Sequence, residues 1–139
     1  MGNHMIQVTA AIIERDDQIL ICQRSGGGSC AFHWEFPGGK LEPDETREEC
    51  LVRECKEELG VDIGIVEIYK ETIYRYPDNE ISFTFFKAAI ISGDICMNIH
   101  KDIRWVERSQ MKDFVFCPAD VPIAEQLCKD IIENSLQHN

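Results

Sequence analysis

Residues 39–61 hold the feature that most constrains this chain, the stretch GKLEPDETREECLVRECKEELGV. Five residues separate its first glycine from a glutamate, and seven more separate that glutamate from an arginine–glutamate pair. Two further glutamates and a second glycine follow at fixed spacing, which an ordinary acidic helix has no reason to show. The fixed positions are Gly39, Glu45, Arg53, Glu54, Glu57, Glu58 and Gly60.

The local chemistry of this stretch predicts a helix with defined ends. Thr46 followed three residues later by Glu49 is a capping-box pattern, so the helix is expected to begin near Arg47. Gly60 is placed to end it, because glycine adopts the left-handed conformation of a helix C-terminus at low cost. Apolar residues recur every four positions and predict one buried stripe, formed by Leu51, Cys55 and Leu59.

The same helix brings three carboxylates together. Since successive helical residues rotate by about 100°, Glu54, Glu57 and Glu58 fall within one arc of roughly 100°. Such carboxylates repel one another, and a divalent cation removes that penalty. Oxygen ligands of this kind select Mg²⁺ or Mn²⁺ over zinc. A solvated acidic face is the usual explanation of a bare E-x-x-E-E pattern, but the complete spacing favours the cation site.

The stretch resembles the Nudix box, G-x5-E-x7-R-E-U-x-E-E-x-G-U, in which U is an aliphatic residue. Every fixed position is filled; Cys55 stands at the first U, where a buried cysteine acts as a small hydrophobe. The segments VTAAIIERDDQILICQR, WEFPGGKLEPDET and FCPADVPIAEQL extend the resemblance along most of the chain. They are similar to the MutT-like nucleoside triphosphate pyrophosphohydrolases, and among these to the CTP pyrophosphohydrolase and 8-oxo-dGTP diphosphatase subgroup.

The resemblance implies both a fold and an activity. The fold is an α+β protein, a Nudix-type α/β/α sandwich with a mixed sheet. The activity is Mg²⁺-dependent hydrolysis, with Mn²⁺ as a substitute, of a (deoxy)nucleoside triphosphate to the monophosphate and pyrophosphate. Its cellular role would be sanitising the nucleotide pool, a form of DNA repair. The alternative is a non-catalytic nucleotide-sensing module with the same fold; the intact box favours the enzyme.

The resemblance also assigns roles to the residues of the box. Arg53 is implied to orient Glu54 through a charge-assisted pair. Catalysis is assigned to Arg53, Glu54, Glu57 and Glu58, and the metal ligands to Gly38, Glu45, Glu54, Glu57 and Glu58. The base that takes the proton of the attacking water is either Glu54 or a carboxylate outside the box, with Asp78, Glu80 and Asp94 as candidates.

The candidate substrate contacts lie mostly outside the box, at Arg24, Phe36, Gly39, Lys40 and Asp120. The alternative for Arg24 is a solvated charge at a strand end, and the alternative for Phe36 is a place in the core. An ionised Asp120 only accepts hydrogen bonds and suits the exocyclic amine of cytosine, whereas a protonated one also donates. The N7-H and O6 pair of 8-oxoguanine needs both a donor and an acceptor. A structural alternative is that Asp120 only caps the last helix before Pro122.

Composition limits the class of protein. At 139 residues the chain is expected to form one domain over residues 5–137, with an expression scar at residues 1–4. The formal charge of −11 excludes a non-specific binder of polymeric nucleic acid, so a nucleoside triphosphate is the expected partner. No apolar run approaches the ~20 residues of a membrane span. Seven cysteines without a C-x-x-C pair predict reduced thiols in the cytoplasm, and the chain is expected to be a monomer or homodimer.

Hydrophobic patterning and turn residues predict the remaining elements. Strands are expected at residues 6–13, 18–24, 34–36, 62–76, 81–91 and 103–106, the first two forming a hairpin. Turns or loops are expected at 14–17, 25–29, 37–39 and 77–79. A second helix is expected over residues 118–136, with Ile123, Leu127 and Ile131 on one face. The histidines predict no metal site, since His33 and His100 each stand alone in the sequence.

Overall fold

The computed structural model describes the backbone of residues 4–137 and the side chains of residues 5–130. The predicted scar at residues 1–4 lies outside the described side chains. No helix among the described residues has the length and apolar character needed to cross a bilayer. The elements are β1 His4–Arg15, β2 Gln18–Gln23, β3 Trp34–Glu35, β4 Gly38–Lys40, α1 Arg47–Leu59, β5 Asp62–Arg75, β6 Asn79–Ser92, β7 Asp102–Glu107, a 3₁₀ helix Arg108–Asp113 and α2 Val121–Gln137.

The sheet is built around β1. It pairs in antiparallel fashion with β2, as the predicted hairpin requires, and with β4, whereas β6 lies parallel to it. β6 continues antiparallel to β5, and β2 pairs antiparallel with both β3 and β7. The parallel pairing of β1 with β6, next to the antiparallel pairings of the other described strands, confirms the predicted mixed sheet.

The two faces of β1 contribute to two separate cores, because successive strand residues point to opposite faces. Ala10 and Ile12 belong to one hydrophobic cluster, and Ala11 and Ile13 belong to the other. The helix residues of these clusters are Ile123 and Leu127 of α2 in the first, and Leu51, Cys55 and Leu59 of α1 in the second. The sheet therefore lies between the two helices, and the predicted α+β sandwich is confirmed.

α1 follows its local signals closely. Thr46 accepts from the backbone N–H of Glu49, whose side chain in turn accepts from the backbone of Thr46, which is the predicted capping box. Gly60 ends the helix in the left-handed conformation with φ of 72°. The predicted stripe is fully buried, and burial raises the pKa of the Cys55 thiol, consistent with its part as a small hydrophobe. The equivalent stripe of α2 is buried at Ile123 and Leu127, while the Ile131 side chain lies outside the described residues.

Two local predictions were wrong, and one element was missed. Residues 37–39 do not form a turn alone, because Gly38–Lys40 pairs as β4 with Val8, Thr9 and Ala10 of β1. A Cβ at Gly38 would lie 1.9 Å from the Thr9 carbonyl oxygen, so only glycine permits this pairing. α2 begins at Val121, three residues later than expected, and the 3₁₀ helix before it was not predicted.

Candidate active site

Arg53 lies at the centre of a cluster of carboxylates on α1. Its Nε is 2.6 Å from Glu45 Oε2 and its Nη2 is 3.0 Å from Glu45 Oε1, a bidentate pair. Its Nη1 donates to Glu54 Oε1 at 3.0 Å and to Glu57 Oε2 at 3.2 Å. Nη2 also donates to the Lys40 carbonyl at 3.2 Å. One guanidinium thus joins three predicted site carboxylates to the strand that leads into the helix.

The carboxylates of this cluster differ in their electrostatic surroundings. The hydrogen bond from Arg53 lowers the pKa of Glu45 from 4.5 to about 2, so Glu45 remains ionised. Both oxygens of Glu45 accept hydrogen bonds from Arg53, so Glu45 holds the arginine in place. Burial raises the pKa of Glu54, against the opposing effect of Arg53. A divalent cation beside Glu54, or a proton on it, offsets the free-energy cost of burying its negative charge.

Glu58 is the most buried carboxylate of the box, with 5% of the residue exposed. Its Oε2 accepts a hydrogen bond from the backbone N–H of Gly38 at 3.2 Å. Burial, followed by the nearby Glu35 and Glu54 carboxylates, raises its pKa from 4.5 to about 8. Holding such a carboxylate ionised at neutral pH requires a positive charge beside it.

The two glycines of β4 lack side chains, so the carboxylates of Glu54 and Glu58 can approach the β4 backbone closely. A Cβ at Gly39 would lie 2.4 Å from the carboxyl carbon of Glu54, so a larger residue there would displace the carboxylate. Gly38 donates to Glu58 from the same strand. Three carboxylates on one helix, two of them with pKa values raised by burial, form a donor set that fits a hard divalent cation.

The sequence did not predict two residues that contact this cluster. His100, whose side chain is 1% exposed, has its Nε2 3.0 Å from Glu35 Oε2 and 3.8 Å from Glu58 Oε1. Ligand atoms of these three residues all lie within 4.8 Å of one another. The prediction that His100 stands alone was therefore wrong. No local pattern could have found the pair, since Glu35 and His100 are 65 positions apart in the sequence.

A cavity of about 520 Å³ opens beside the carboxylates. Its wall includes Glu35 and Gly38, which also contact the Glu58 side of the cluster. All five predicted substrate residues line it, namely Arg24, Phe36, Gly39, Lys40 and Asp120. The structure thus brings the predicted substrate residues to one cavity, next to the predicted metal ligands.

Two of these wall residues also have structural contacts. Arg24 Nη1 donates to Glu35 Oε1 at 3.0 Å, while nearly half of its side chain remains exposed. Phe36 is almost fully buried and packs against Phe116 at a centroid distance of 5.5 Å and against Phe85 at 6.3 Å. Arg24 is free to meet a substrate on one side, whereas Phe36 combines a core position with a place in the cavity wall.

Asp120 lies at the inner wall of the cavity with 8% of the residue exposed. Burial and the neighbouring Glu35 raise its pKa from 3.8 to about 8, while the Phe36 backbone amide and Arg24 act in the opposite direction. Its backbone carbonyl accepts from Ala124 N at 3.0 Å in the first turn of α2. The raised pKa brings the protonated carboxyl, which can donate as well as accept, closer to neutral pH than in an exposed aspartate.

The three candidate bases outside the box lie apart from the carboxylate cluster. Glu80 Oε1 is 3.4 Å from Arg75 Nε, whereas Asp78 and Asp94 are exposed. Within the described part of the chain, none of the three has a hydrogen bond or ion pair to the cluster. Glu54 remains the candidate base that the structure places beside Arg53 and Gly39.

The raised pKa of Glu58 predicts a pH-dependent stability. Between about pH 5 and pH 8 the folded, metal-free protein binds more protons than the unfolded chain, so the free energy of unfolding falls as pH rises. We expect thermal midpoints in EDTA to decline over this range, and Glu58→Gln to reduce the slope. Asp120 contributes with the same sign, so part of the slope should remain. An identical slope in both proteins would show that Glu58 titrates normally.

Comparison with known proteins gives consistent results for sequence and structure. The NUDIX domain model matches residues 3–127. The CTP pyrophosphohydrolase of Escherichia coli K12 is 36% identical over 121 residues, covering 87% of this chain and 90% of the relative. The 8-oxo-dGTP diphosphatase of Haemophilus influenzae is 34% identical over 131 residues, covering 94% and 96%. The solution structure of the E. coli ORF135 protein matches with a TM-score of 0.78 at 34% identity, covering 88% of each chain.

Proposed function

The chain belongs to the Nudix family and is a hydrolase of phosphorus-containing anhydrides, and we propose that it converts a (deoxy)nucleoside triphosphate to the monophosphate and pyrophosphate. The observation that supports this most is the position of the Arg53 carboxylate cluster beside a cavity of about 520 Å³. The cavity wall includes the exposed Arg24, which suits a phosphate, and the buried Asp120, whose raised pKa suits a base edge that needs a donor.

We propose Mg²⁺ as the cation, with Mn²⁺ as a substitute. Glu54, Glu57 and Glu58 would hold it, with the Gly38 carbonyl as a further ligand. When bound, the cation supplies positive charge for the polyphosphate oxygens and makes the attacking water more acidic. The raised pKa values of Glu54 and Glu58 support this assignment, because both carboxylates lack enough compensating charge of their own.

The residues around the cation have separate tasks in this proposal. Arg53 fixes Glu54 and Glu57 through its Nη1, and Glu45 fixes Arg53 through two hydrogen bonds. Glu54 is the proposed acceptor of the proton of water, because Arg53 and the Gly39 backbone hold its carboxylate in a fixed position within the cluster. Lys40 and Arg24 lie on the cavity wall, where their charges would meet the phosphates.

Asp120 is the proposed reader of the nucleobase. In its neutral form it offers one donor and one acceptor, the pair that the N7-H and O6 groups of 8-oxoguanine require. In its ionised form it accepts from the exocyclic amine of cytosine. The named relatives act on CTP and on 8-oxo-dGTP. We therefore propose 8-oxo-dGTP and CTP or dCTP as the substrates to compare, with removal of damaged nucleotides as the role.

The proposed protonation of Asp120 predicts a pH-dependent choice of substrate. The ratio of kcat/KM for 8-oxo-dGTP to that for dCTP should fall as pH rises through about 8, because the donor is lost. Asp120→Asn keeps one donor and one acceptor at every pH, so its ratio should not show this change. The change in the wild-type ratio should correspond to about 1–3 kcal/mol, or roughly 5- to 150-fold, which is the typical cost of a mismatched hydrogen-bonding group at a base edge. The measurement is kcat/KM for both substrates between about pH 6 and 9.

A helix-capping role for Asp120 predicts a different result. Asparagine and aspartate cap helices about equally well, so the substitution would then be close to neutral for every substrate. Equal substrate ratios in the two proteins at all pH values would remove Asp120 from base recognition. A parallel change in both substrates would be assigned to ionisation elsewhere in the site.

The function itself is tested by a panel of nucleoside triphosphates with Mg²⁺, in which both binding and pyrophosphate release are measured. A hydrolase releases pyrophosphate from at least one member of the panel with turnover. A nucleotide-sensing module binds without releasing product. Binding of a preferred nucleotide with no turnover under any cation would overturn the proposed reaction.

A further inference from the structure

Four side chains form a continuous polar chain from the substrate cavity to the carboxylate cluster. Arg24 donates to Glu35 Oε1 at 3.0 Å, and His100 Nε2 lies 3.0 Å from the other oxygen of the same carboxylate. His100 Nε2 is also 3.8 Å from Glu58 Oε1. Glu35 therefore bridges a residue of the cavity wall and a buried histidine that faces Glu58.

The burial of His100 fixes the direction of its hydrogen bond. An ionised carboxylate only accepts, so the hydrogen between His100 and Glu35 must be on Nε2. The other ring nitrogen, Nδ1, is buried and has no hydrogen-bond partner among the described residues. A buried N–H without an acceptor is costly, which favours the tautomer with the hydrogen on Nε2 alone. His100 Nε2 thus lies between two carboxylates, hydrogen-bonded to Glu35 and 3.8 Å from Glu58 Oε1.

We propose that Glu35 and His100 are positioning residues that hold the cation ligand Glu58 and the substrate contact Arg24 in one fixed arrangement. This inference rests on the proposed function of Glu58 and Arg24. Glu35 orients Arg24 in the cavity, and His100 orients Glu35 and limits the rotation of Glu58, which Gly38 N–H holds from the other side. Neither residue needs to touch the reacting atoms.

The fixed arrangement has a physical benefit for binding. Glu58 and Glu35 are partly or fully buried carboxylates in the same small space, and burial together with the nearby Glu35 raises the cost of ionising Glu58. A shared donor between them keeps their oxygens apart and directed. Partners that orient metal ligands from behind typically change metal affinity or activity by 10- to 100-fold when they are removed.

Two substitutions of His100 separate positioning from simple packing. His100→Leu fills a similar volume without a donor, whereas His100→Gln can place an N–H near the position of Nε2. We expect His100→Leu to weaken Mn²⁺ binding to the substrate-free protein by roughly 10-fold or more, and His100→Gln to restore most of it. Binding is measured by the electron paramagnetic resonance signal of free Mn²⁺, so it does not depend on any turnover.

Glu35→Gln tests the other end of the chain, and Glu14→Gln is its matched control. Both carboxylates accept from an arginine at 3.0 Å, but Glu14 pairs with Arg108 far from the cluster. Glu35→Gln should raise both the Mn²⁺ dissociation constant and the KM for the nucleotide, because it releases Arg24. Glu14→Gln should leave both unchanged.

The outcomes either support the positioning role or overturn it. A purely structural His100 would lower the thermal midpoint of both variants while Mn²⁺ affinity of the folded protein stayed at the wild-type value. That result, or equal Mn²⁺ affinities of His100→Leu and His100→Gln, would overturn the inference. If His100→Leu fails to fold, the positioning role is decided by Glu35→Gln and His100→Gln. A Glu35→Gln protein with wild-type Mn²⁺ affinity and wild-type KM would overturn that role. If the variants change Mn²⁺ affinity as expected but no nucleotide of the panel releases pyrophosphate, only the proposed reaction is wrong.

Discussion

Exhaustive chelation is expected to abolish hydrolysis of nucleoside triphosphates, and Mg²⁺ or Mn²⁺ is expected to restore it. The reason is electrostatic, because a polyphosphate must approach Glu54, Glu57 and Glu58 in a protein of formal charge −11. Without a cation, the phosphate oxygens and the carboxylates repel each other. The measurement is pyrophosphate release in EDTA, followed by addition of one cation at a time.

Zinc provides the control for this experiment. Zinc prefers nitrogen and sulfur ligands, whereas the predicted ligand set consists of oxygens, so zinc should not be needed for activity. Full activity after exhaustive chelation would contradict the assignment of a metal-dependent hydrolase. Restoration by zinc alone would place the ligands elsewhere, for instance at a site that includes His100.

Glu58→Gln is expected to lower kcat/KM by about two orders of magnitude or more, the size of effect that follows loss of a metal ligand or general base. The fold should remain intact, because the glutamine carbonyl can still accept from the Gly38 N–H that binds Glu58 Oε2 at 3.2 Å. The thermal midpoint without metal should be unchanged or higher, since a buried carboxylate with a raised pKa is removed.

Glu48→Gln is the matched control for this substitution. Glu48 lies on the same helix as Glu58 but is exposed in the first turn, and among the described residues it has no hydrogen bond or ion pair with Arg53. Its change should leave kcat/KM near the wild-type value. If Glu58→Gln fails to fold, or if the two variants lose activity equally, then Glu58 has a structural role and the proposed cation site is wrong.

The sequence predicted best those parts of the molecule whose conformation depends on residues close together in the sequence. α1 was predicted at both ends because Thr46 and Glu49 form a capping box and Gly60 allows a left-handed end. The clustering of Glu54 with Glu57 required only helical geometry and one arginine between them. Residue spacing is informative in this segment because the helix fixes where its side chains lie relative to one another.

The parts that the sequence missed depend on contacts between distant segments. Pro-Gly-Gly usually marks a turn, and only the approach of Thr9 made Gly38–Lys40 a strand. The contact of Glu35 with His100 joins residues 65 positions apart. The raised pKa of Asp120 follows from burial that the sequence cannot show, although Asp120 could be chosen as a candidate from the sequence.

The central claim is most directly tested by identifying the products with ³¹P nuclear magnetic resonance. The protein is incubated with Mg²⁺ and 8-oxo-dGTP or dCTP, and the phosphorus signals are followed with time. We expect equal amounts of the nucleoside monophosphate and pyrophosphate, formed by the wild type and nearly absent with Glu58→Gln. Nucleoside diphosphate with inorganic phosphate, or unchanged substrates across the whole nucleotide panel, would contradict it.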